Sequence, residues 1–202
     1  MEFINLKNEE KKIYSIENNI NNKYIINFLA RNNILISVTN NLITFGVDTI
    51  VPLHNKLRDE VNKKFIYDIG SQILYLKEEK LGIKYFSMKD IVIINSNIFL
   101  FVNPNKLFAL LNKKDIKLEK PIKSYTYGVI EPSLIKTDES FIPPELRTKN
   151  SYIYYTSSFF SLAKIILFVF DMELESLYYT SIYYFLNRCL EKVPEDRIFL
   201  YV

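Results

Sequence analysis

The chain contains very little cysteine, histidine and glycine, and each shortage excludes a class of site. The single cysteine among 202 residues, Cys189, excludes an internal disulfide and any metal site built from several cysteines. The single histidine, His54, excludes zinc sites that need several histidines. The four glycines lie far apart in the sequence and cannot form the glycine-rich loop that cradles a phosphate. Many enzyme classes are therefore excluded before any motif is considered.

Neither the charge balance nor the longest apolar run points to nucleic acid or to a membrane. The net charge is only +3, so no basic surplus predicts a nucleic-acid partner. Residues 159–170 are the most apolar stretch, but Lys164 interrupts them and they are shorter than the roughly 20 residues that span a membrane. We expect a buried helix there and no membrane partner. The polar N-terminus resembles no secretory signal, which predicts a location inside the cell.

Hydrophobic spacing predicts a mixed α+β chain. Near the N-terminus, Ile13, Ile16, Ile20 and Tyr24 recur at spacings of three and four, which predicts a helix within residues 1–30. Paired runs of β-branched and other apolar residues around short Asn-containing turns predict two hairpins. Their turns are Asn40-Asn41, within residues 34–53, and Asn95-Ser96-Asn97, within residues 91–103. The first hairpin leaves a strand edge at residues 34–38, which residues 1–30 are expected to cover.

The remaining pattern is mostly helical. Apolar stripes predict one long helix over residues 55–80 and two apolar helices over residues 157–171 and 177–191. Between them, residues 104–150 contain five prolines and are expected to be an irregular loop. Cys189 lies among leucines in the last helix, so we expect a buried core thiol rather than a nucleophile.

Four segments resemble parts of a protein kinase. FIYDIGSQILYL, followed by an Ile-rich hairpin, is similar to the long helix that leads into a kinase catalytic loop. FIPPEL resembles the Ala-Pro-Glu segment, SSFFSLAKIILFVF the central buried helix, and RCLEKVPEDRIFLYV the terminal segment of the large lobe. The resemblance covers roughly residues 30–202, and the chain is similar to small, divergent serine/threonine kinase-like proteins of large nucleocytoplasmic DNA viruses. The bias toward Asn, Ile, Lys and Tyr is typical of AT-rich coding sequences, as in some of these viruses.

The resemblance implies an α+β, protein kinase-like fold in two lobes. A mostly helical large lobe is expected over residues 54–202. A reduced small lobe of one helix and a β-hairpin is expected over residues 1–53, because few residues precede Pro52. That length leaves no place for the glycine-rich loop or for the phosphate-binding lysine of the family.

Carried over residue by residue, the resemblance implies that the structural ion pair of the family is retained and that its catalytic and metal-binding groups are replaced. Glu145 and Arg197 fall on the two residues that form a structural ion pair in the large lobe. Tyr85 falls on the catalytic base, and the phenol of tyrosine cannot accept a proton near neutral pH. Ser87 replaces the catalytic-loop lysine. Of the two metal-binding positions, Asn103 replaces an aspartate, which keeps an oxygen ligand but loses the charge that holds magnesium against ATP. Asp90 replaces an asparagine and is still able to hold a cation.

These substitutions predict a catalytically inactive pseudokinase that acts as a binding or scaffolding protein. No cofactor and no ATP binding are expected. The expected partner is a viral or host protein, and the expected location is the host-cell cytoplasm or the virion. Tyr152, Tyr154 and Tyr155 form a candidate interface, since tyrosine is enriched in interface cores. Two alternatives stay open: an atypical serine/threonine protein kinase that uses Asp90 and Asn103, and a structural component of the virion.

Overall fold

The computed structural model describes residues 4–6, 12–18, 22–55, 63–110, 139–148 and 152–200. These residues form nine strands: β1 Ile4–Leu6, β2 Lys12–Glu17, β3 Leu35–Val38, β4 Leu42–Val47, β5 Ile50–Pro52, β6 Leu81–Ile83, β7 Ile91–Ile94, β8 Ile98–Phe101 and β9 Leu107–Ala109. They also form four α-helices: α1 Lys23–Arg31, α2 Lys63–Glu78, α3 Ser157–Phe170 and α4 Ser181–Cys189. The predicted α+β class is therefore confirmed.

The chain divides into two compact units, each formed by two stretches of sequence. The first unit comprises Met1–Leu76 and Met88–Leu107, and the second comprises Lys77–Ser87 and Phe108–Val202. The lobe boundary expected between residues 53 and 54 rests on the family resemblance and stays a prediction.

The first unit contains a four-stranded sheet in the order β1-β2-β4-β3, with antiparallel neighbours throughout. The expectation of only a helix and a hairpin at this end of the chain was wrong, because residues 12–17 are strand β2 rather than the start of a helix. Every residue of β2 pairs with β4, from Lys12 opposite Val47 to Glu17 opposite Leu42. This long-range pairing overrides the helical spacing of Ile13 and Ile16.

The first predicted hairpin is confirmed as β3 and β4, which pair antiparallel around Asn40-Asn41. Among the described residues, β3 is the outer strand of its sheet, since β2 pairs with the other side of β4. The expectation that the N-terminal residues cover the edge at residues 34–38 is wrong for β2, which covers the opposite edge of the hairpin. Helix α1 begins after Asn22, and Ile25 and Leu29 are fully buried.

The second sheet of the first unit has the order β5-β7-β8 and contains the second predicted hairpin. Its turn lies where it was expected, with Asn95 and Ser96 in the left-handed region at φ values of 48° and 63°. Asparagine tolerates this conformation better than most residues, which explains its place in the turn. The Asn95 side chain also accepts hydrogen bonds from the backbone amides of Asp48 and Thr49.

Two buried polar side chains of helix α2 form hydrogen bonds with the backbone of strand β8. The Asp68 carboxylate accepts a hydrogen bond from the Phe99 amide at 3.0 Å. Gln72 accepts from the Phe101 amide and donates to the Phe99 carbonyl. Buried backbone groups left unpaired would cost stability, so these contacts explain why polar residues interrupt the apolar stripe. The predicted helix over residues 55–80 is confirmed for Lys63–Glu78; residues 56–62 lie outside the described residues.

The second unit contains a two-stranded sheet of β6 and β9, together with helices α3 and α4. Helix α3 lies where it was predicted, whereas α4 begins at Ser181 rather than at residue 177, because Leu174–Leu177 form a separate 3₁₀ turn. Strand β9 begins at Leu107, the last residue of the first unit. A hydrophobic cluster is formed by Phe108, Ile142, Leu146 and Ile153, with Tyr85 and Leu110 packed against it. The expectation of an irregular loop over residues 104–150 was wrong for Leu107–Ala109, which pair with β6 as strand β9; residues 111–138 lie outside the described residues. Pro144–Arg147 form a single 3₁₀ turn.

Substitution of Gly82 by alanine is expected to destabilise this sheet by about 1–3 kcal/mol, through overpacking. An added Cβ would lie 2.6 Å from two ring atoms of Phe108, which is itself buried. Gly46→Ala is the matched control, because its Cβ would meet only the end of the Ile36 side chain, at 3.0 Å. Urea denaturation of both variants checks this prediction. Equal losses of stability would contradict it.

Candidate functional site

The two expected metal-binding positions, Asp90 and Asn103, lie together in the first unit. Asp90 ends a short 3₁₀ turn before β7, and Asn103 follows β8, so the hairpin brings them together. The Asn103 amide donates to the Asp90 carboxylate at 2.7 Å. The Val102 amide also donates to the Asp90 carbonyl at 2.8 Å, which fixes the two segments against each other.

A third residue, Lys106, supplies a positive charge to this cluster. Its ammonium lies 2.5 Å from the second carboxylate oxygen of Asp90. Asp90 is only 4% exposed, and an ionised carboxylate in such a position requires a partner charge or several hydrogen bonds. Lys106 and Asn103 together satisfy both of its oxygens. We refer to these three residues as the Asp90 cluster.

Tyr24 from helix α1 lies in the same part of the unit. Its hydroxyl donates to the Phe101 carbonyl at 3.0 Å, and its ring lies 6.0 Å from the Phe101 ring. Burial raises the pKa of Tyr24, and the nearby Asp90 charge raises this pKa further. Tyr24 therefore stays a neutral hydrogen-bond donor and adds no negative charge beside the carboxylate.

The chemistry of the Asp90 cluster does not fit a magnesium ion. Magnesium prefers an octahedral shell of oxygen ligands, usually carboxylates, phosphates and water. Here both carboxylate oxygens accept hydrogen bonds from nitrogen donors, one of which carries a positive charge. In the described part of the chain, no three His, Cys, Asp or Glu side chains are grouped as metal ligands would be.

The expected positions of the catalytic base and the catalytic-loop lysine, Tyr85 and Ser87, belong to the second unit. The half-buried Tyr85 packs against the hydrophobic cluster around Phe108 and Leu146. Ser87 is buried. The geometry gives Tyr85 a packing role, and as a phenol it is a poor general base.

Glu145 and Arg197 form a bidentate ion pair in the second unit. Nη1 of Arg197 donates to Oε1 of Glu145 at 2.7 Å, and Nη2 donates to Oε2 at 2.8 Å. The Ser157 hydroxyl, at the start of α3, donates to Oε1 at 2.7 Å. Arg197 is only 2% exposed, and its Nε donates to the Glu191 carbonyl. The pair therefore links the 3₁₀ turn at Pro144–Arg147, helix α3 and the C-terminal segment.

The three tyrosines of the expected interface have different environments. Tyr152 is 46% exposed, whereas Tyr154 and Tyr155 are half-buried. The Tyr155 ring packs edge-on against Phe159 at 5.7 Å, and the Lys77 ammonium lies 4.6 Å from its centroid. Of this set, Tyr152 is the most accessible to a partner.

Cys189 is buried, as its position among leucines predicted. Burial raises the pKa of its thiol to about 12, and Arg197 lowers this pKa by a smaller amount.

We expect no reaction of the Cys189 thiol of the folded chain with a thiol reagent at pH 8, and full reaction after unfolding in urea. Since the unfolded thiol ionises at lower pH than the folded one, stability should also fall as the pH rises above about 9. Rapid labelling of the folded chain at pH 8 would contradict the expected protection of the thiol.

Lys106 was not identified from the sequence as a partner of Asp90, because the two residues are 16 positions apart in the chain. A local signal was available, since Pro104 favours a tight turn after Asn103. This turn forms at Pro104–Lys106, with the Lys106 amide donating to the Asn103 carbonyl. Ser157 was missed for a different reason, because its contact with Glu145 depends on tertiary packing.

No model of a known protein family matches the chain, and no curated protein matches it. Among the helices of the described residues, none has both the length and the apolar character needed to cross a membrane.

Proposed function

We propose that the chain is a catalytically inactive, kinase-like protein that acts by binding another protein. The observation that carries the inactivity in this proposal is the contact of both Asp90 carboxylate oxygens with Lys106 and Asn103. In a phosphate-transferring enzyme, carboxylates at such a site hold magnesium against the nucleotide. Here an internal ammonium already neutralises the carboxylate, which removes the electrostatic reason for a metal to bind.

The Glu145–Arg197 pair supports the kinase-like part of the proposal. The family resemblance implies an acid–guanidinium pair between these positions, 52 residues apart in the sequence. A bidentate pair places strict demands on geometry, so this contact is unusual for two unrelated surface charges. The proposed partner is a viral or host protein, encountered in the host-cell cytoplasm or in the virion.

Transfer of radiolabelled phosphate tests the proposal. The full chain, incubated with labelled ATP, magnesium and a general protein substrate, is expected to transfer no more label than its Asp90→Ala variant. Label transfer by the wild-type chain that Asp90→Ala abolishes would contradict the proposal and support an atypical serine/threonine protein kinase.

A further inference from the structure

An open groove lies in the second unit beside the connection between α3 and α4. Its larger part has a volume of about 640 Å³ and is lined by the C-terminal half of α3, residues 171–175, Ser140 and Leu190. A smaller part of about 140 Å³ shares the lining residues Leu167 and Met172 with it, so the two parts adjoin at these side chains. We call the whole of this surface the acidic groove.

The floor of the acidic groove is apolar. The smaller part is lined entirely by apolar side chains, among them Ile166, Phe170 and Ile182. Phe168 and Met172, which line the larger part, are both exposed to solvent. Accessible apolar side chains inside a concave surface are typical of a site that binds an apolar anchor.

The rim of the groove carries an excess of negative charge. Asp171, Glu173 and Glu175 are exposed along one connection, and Lys164 is the one cation among the described lining residues. The Lys164 ammonium lies 5.8 Å from the ring centroid of Phe160, beside its own helix. Three carboxylates against one ammonium favour a positively charged ligand.

Four tyrosines lie close in sequence to the lining residues Leu177 and Ile182: Tyr178, Tyr179 and Tyr184 are exposed, and Tyr183 is half-buried. Tyr178 and Tyr183 lie 4.6 Å apart between ring centroids, and Tyr183 lies 5.4 Å from Tyr184. Tyr179 is 92% exposed and holds a left-handed backbone conformation, with φ at 67°. Such strain in a non-glycine residue is typical of binding sites, and tyrosine rings attract lysine and arginine side chains.

We propose that the acidic groove binds a segment of a partner protein in which lysine or arginine side chains flank an apolar anchor. The anchor enters the floor at Leu167 and Met172, and the cations meet the carboxylates of the rim and the tyrosine faces. Charge complementarity selects this occupant, because the rim repels nucleic acids and acidic peptides. This inference rests on one part of the proposed function, namely that the chain acts by binding another protein.

Selection from a displayed random peptide library on the full wild-type chain tests the proposal. We expect the selected sequences to combine lysine or arginine with a large apolar residue. Fluorescence polarisation then measures the affinity of the most frequent selected peptide. Reversing the rim charge by Asp171→Lys, Glu173→Lys and Glu175→Lys together is expected to weaken binding by at least about tenfold, and added salt should weaken binding to the wild-type chain.

A matched control reverses three exposed acids of the same unit outside the groove, through Glu78→Lys, Glu79→Lys and Glu195→Lys. This triple variant should bind the peptide as the wild-type chain does. Equal weakening in both triple variants would overturn the proposal, as would the selection of acidic or uncharged peptides. Tyr179→Ala, an exposed substitution that leaves the core intact, should weaken binding without lowering the melting temperature.

A peptide of this chain's own residues 113–123, which contain five lysines, is a second probe. Tighter binding of this peptide than of every selected sequence would assign the groove to the chain itself and overturn the proposal of a separate partner. Failure of peptide binding leaves the phosphate-transfer result unchanged. The groove assignment and the proposed inactivity can therefore fail separately.

Discussion

Replacement of Arg197 by alanine should lower the free energy of unfolding by about 3–5 kcal/mol, the typical cost of breaking a buried ion pair. The substitution leaves Glu145 without two hydrogen bonds and its compensating charge, and leaves the Glu191 carbonyl without its donor. Arg197→Lys should give a smaller loss, since lysine keeps the charge but cannot form the bidentate contact. Urea denaturation, followed by circular dichroism, measures both effects.

Arg188 provides the control for this prediction. It lies exposed near the end of α4, and Arg188→Ala should change the free energy of unfolding by no more than about 0.5 kcal/mol. If Arg197→Ala lowered the free energy of unfolding as little as Arg188→Ala, the buried pair would not stabilise the second unit as we describe.

The second large effect is expected at Lys106, which neutralises Asp90. Lys106→Met removes the ammonium and leaves a buried carboxylate beside the Asn103 amide, so we expect a loss of about 3–5 kcal/mol. The double variant Asp90→Asn/Lys106→Met removes both charges and should recover much of this loss, because no unpaired charge stays buried. Thermal and urea unfolding of the two variants check this expectation.

Lys23→Met, an exposed substitution on helix α1 of the same unit, is the matched control and should be close to neutral. A double variant no more stable than Lys106→Met would show that Asp90 and Lys106 do not act as a pair.

The hairpins and the apolar helices could be predicted from the sequence because their signals are local. Asn95 and Ser96 mark a turn between an Ile-rich run and an apolar run, and residues 157–170 are apolar on nearly every side, as a buried helix requires. Strand β2 could not be predicted in the same way. Its spacing matched a helix, and its pairing with β4 depends on residues about thirty positions away. Long-range pairing of this kind leaves little trace in a local window.

The candidate site was predicted in part. The family resemblance placed Asp90 and Asn103 at two metal-binding positions, and these two residues share a hydrogen bond in the structure. The contact of Lys106 with this carboxylate was not inferred, since Lys106 is one of 26 Lys and Arg residues and the turn expected at Pro104 does not by itself single it out. The tyrosines at positions 178–184 were equally inconspicuous, because tyrosine is common throughout this chain.

Thermal unfolding with and without ATP and magnesium tests the central claim most directly. If Lys106 already occupies the carboxylate of Asp90, the melting temperature of the full chain should stay constant as the concentration of ATP and magnesium is raised. A ligand that binds the folded chain stabilises it by RT ln(1 + [L]/Kd), so binding would be visible as a rise that grows with concentration. Such a rise, lost in Asp90→Ala, would contradict the account.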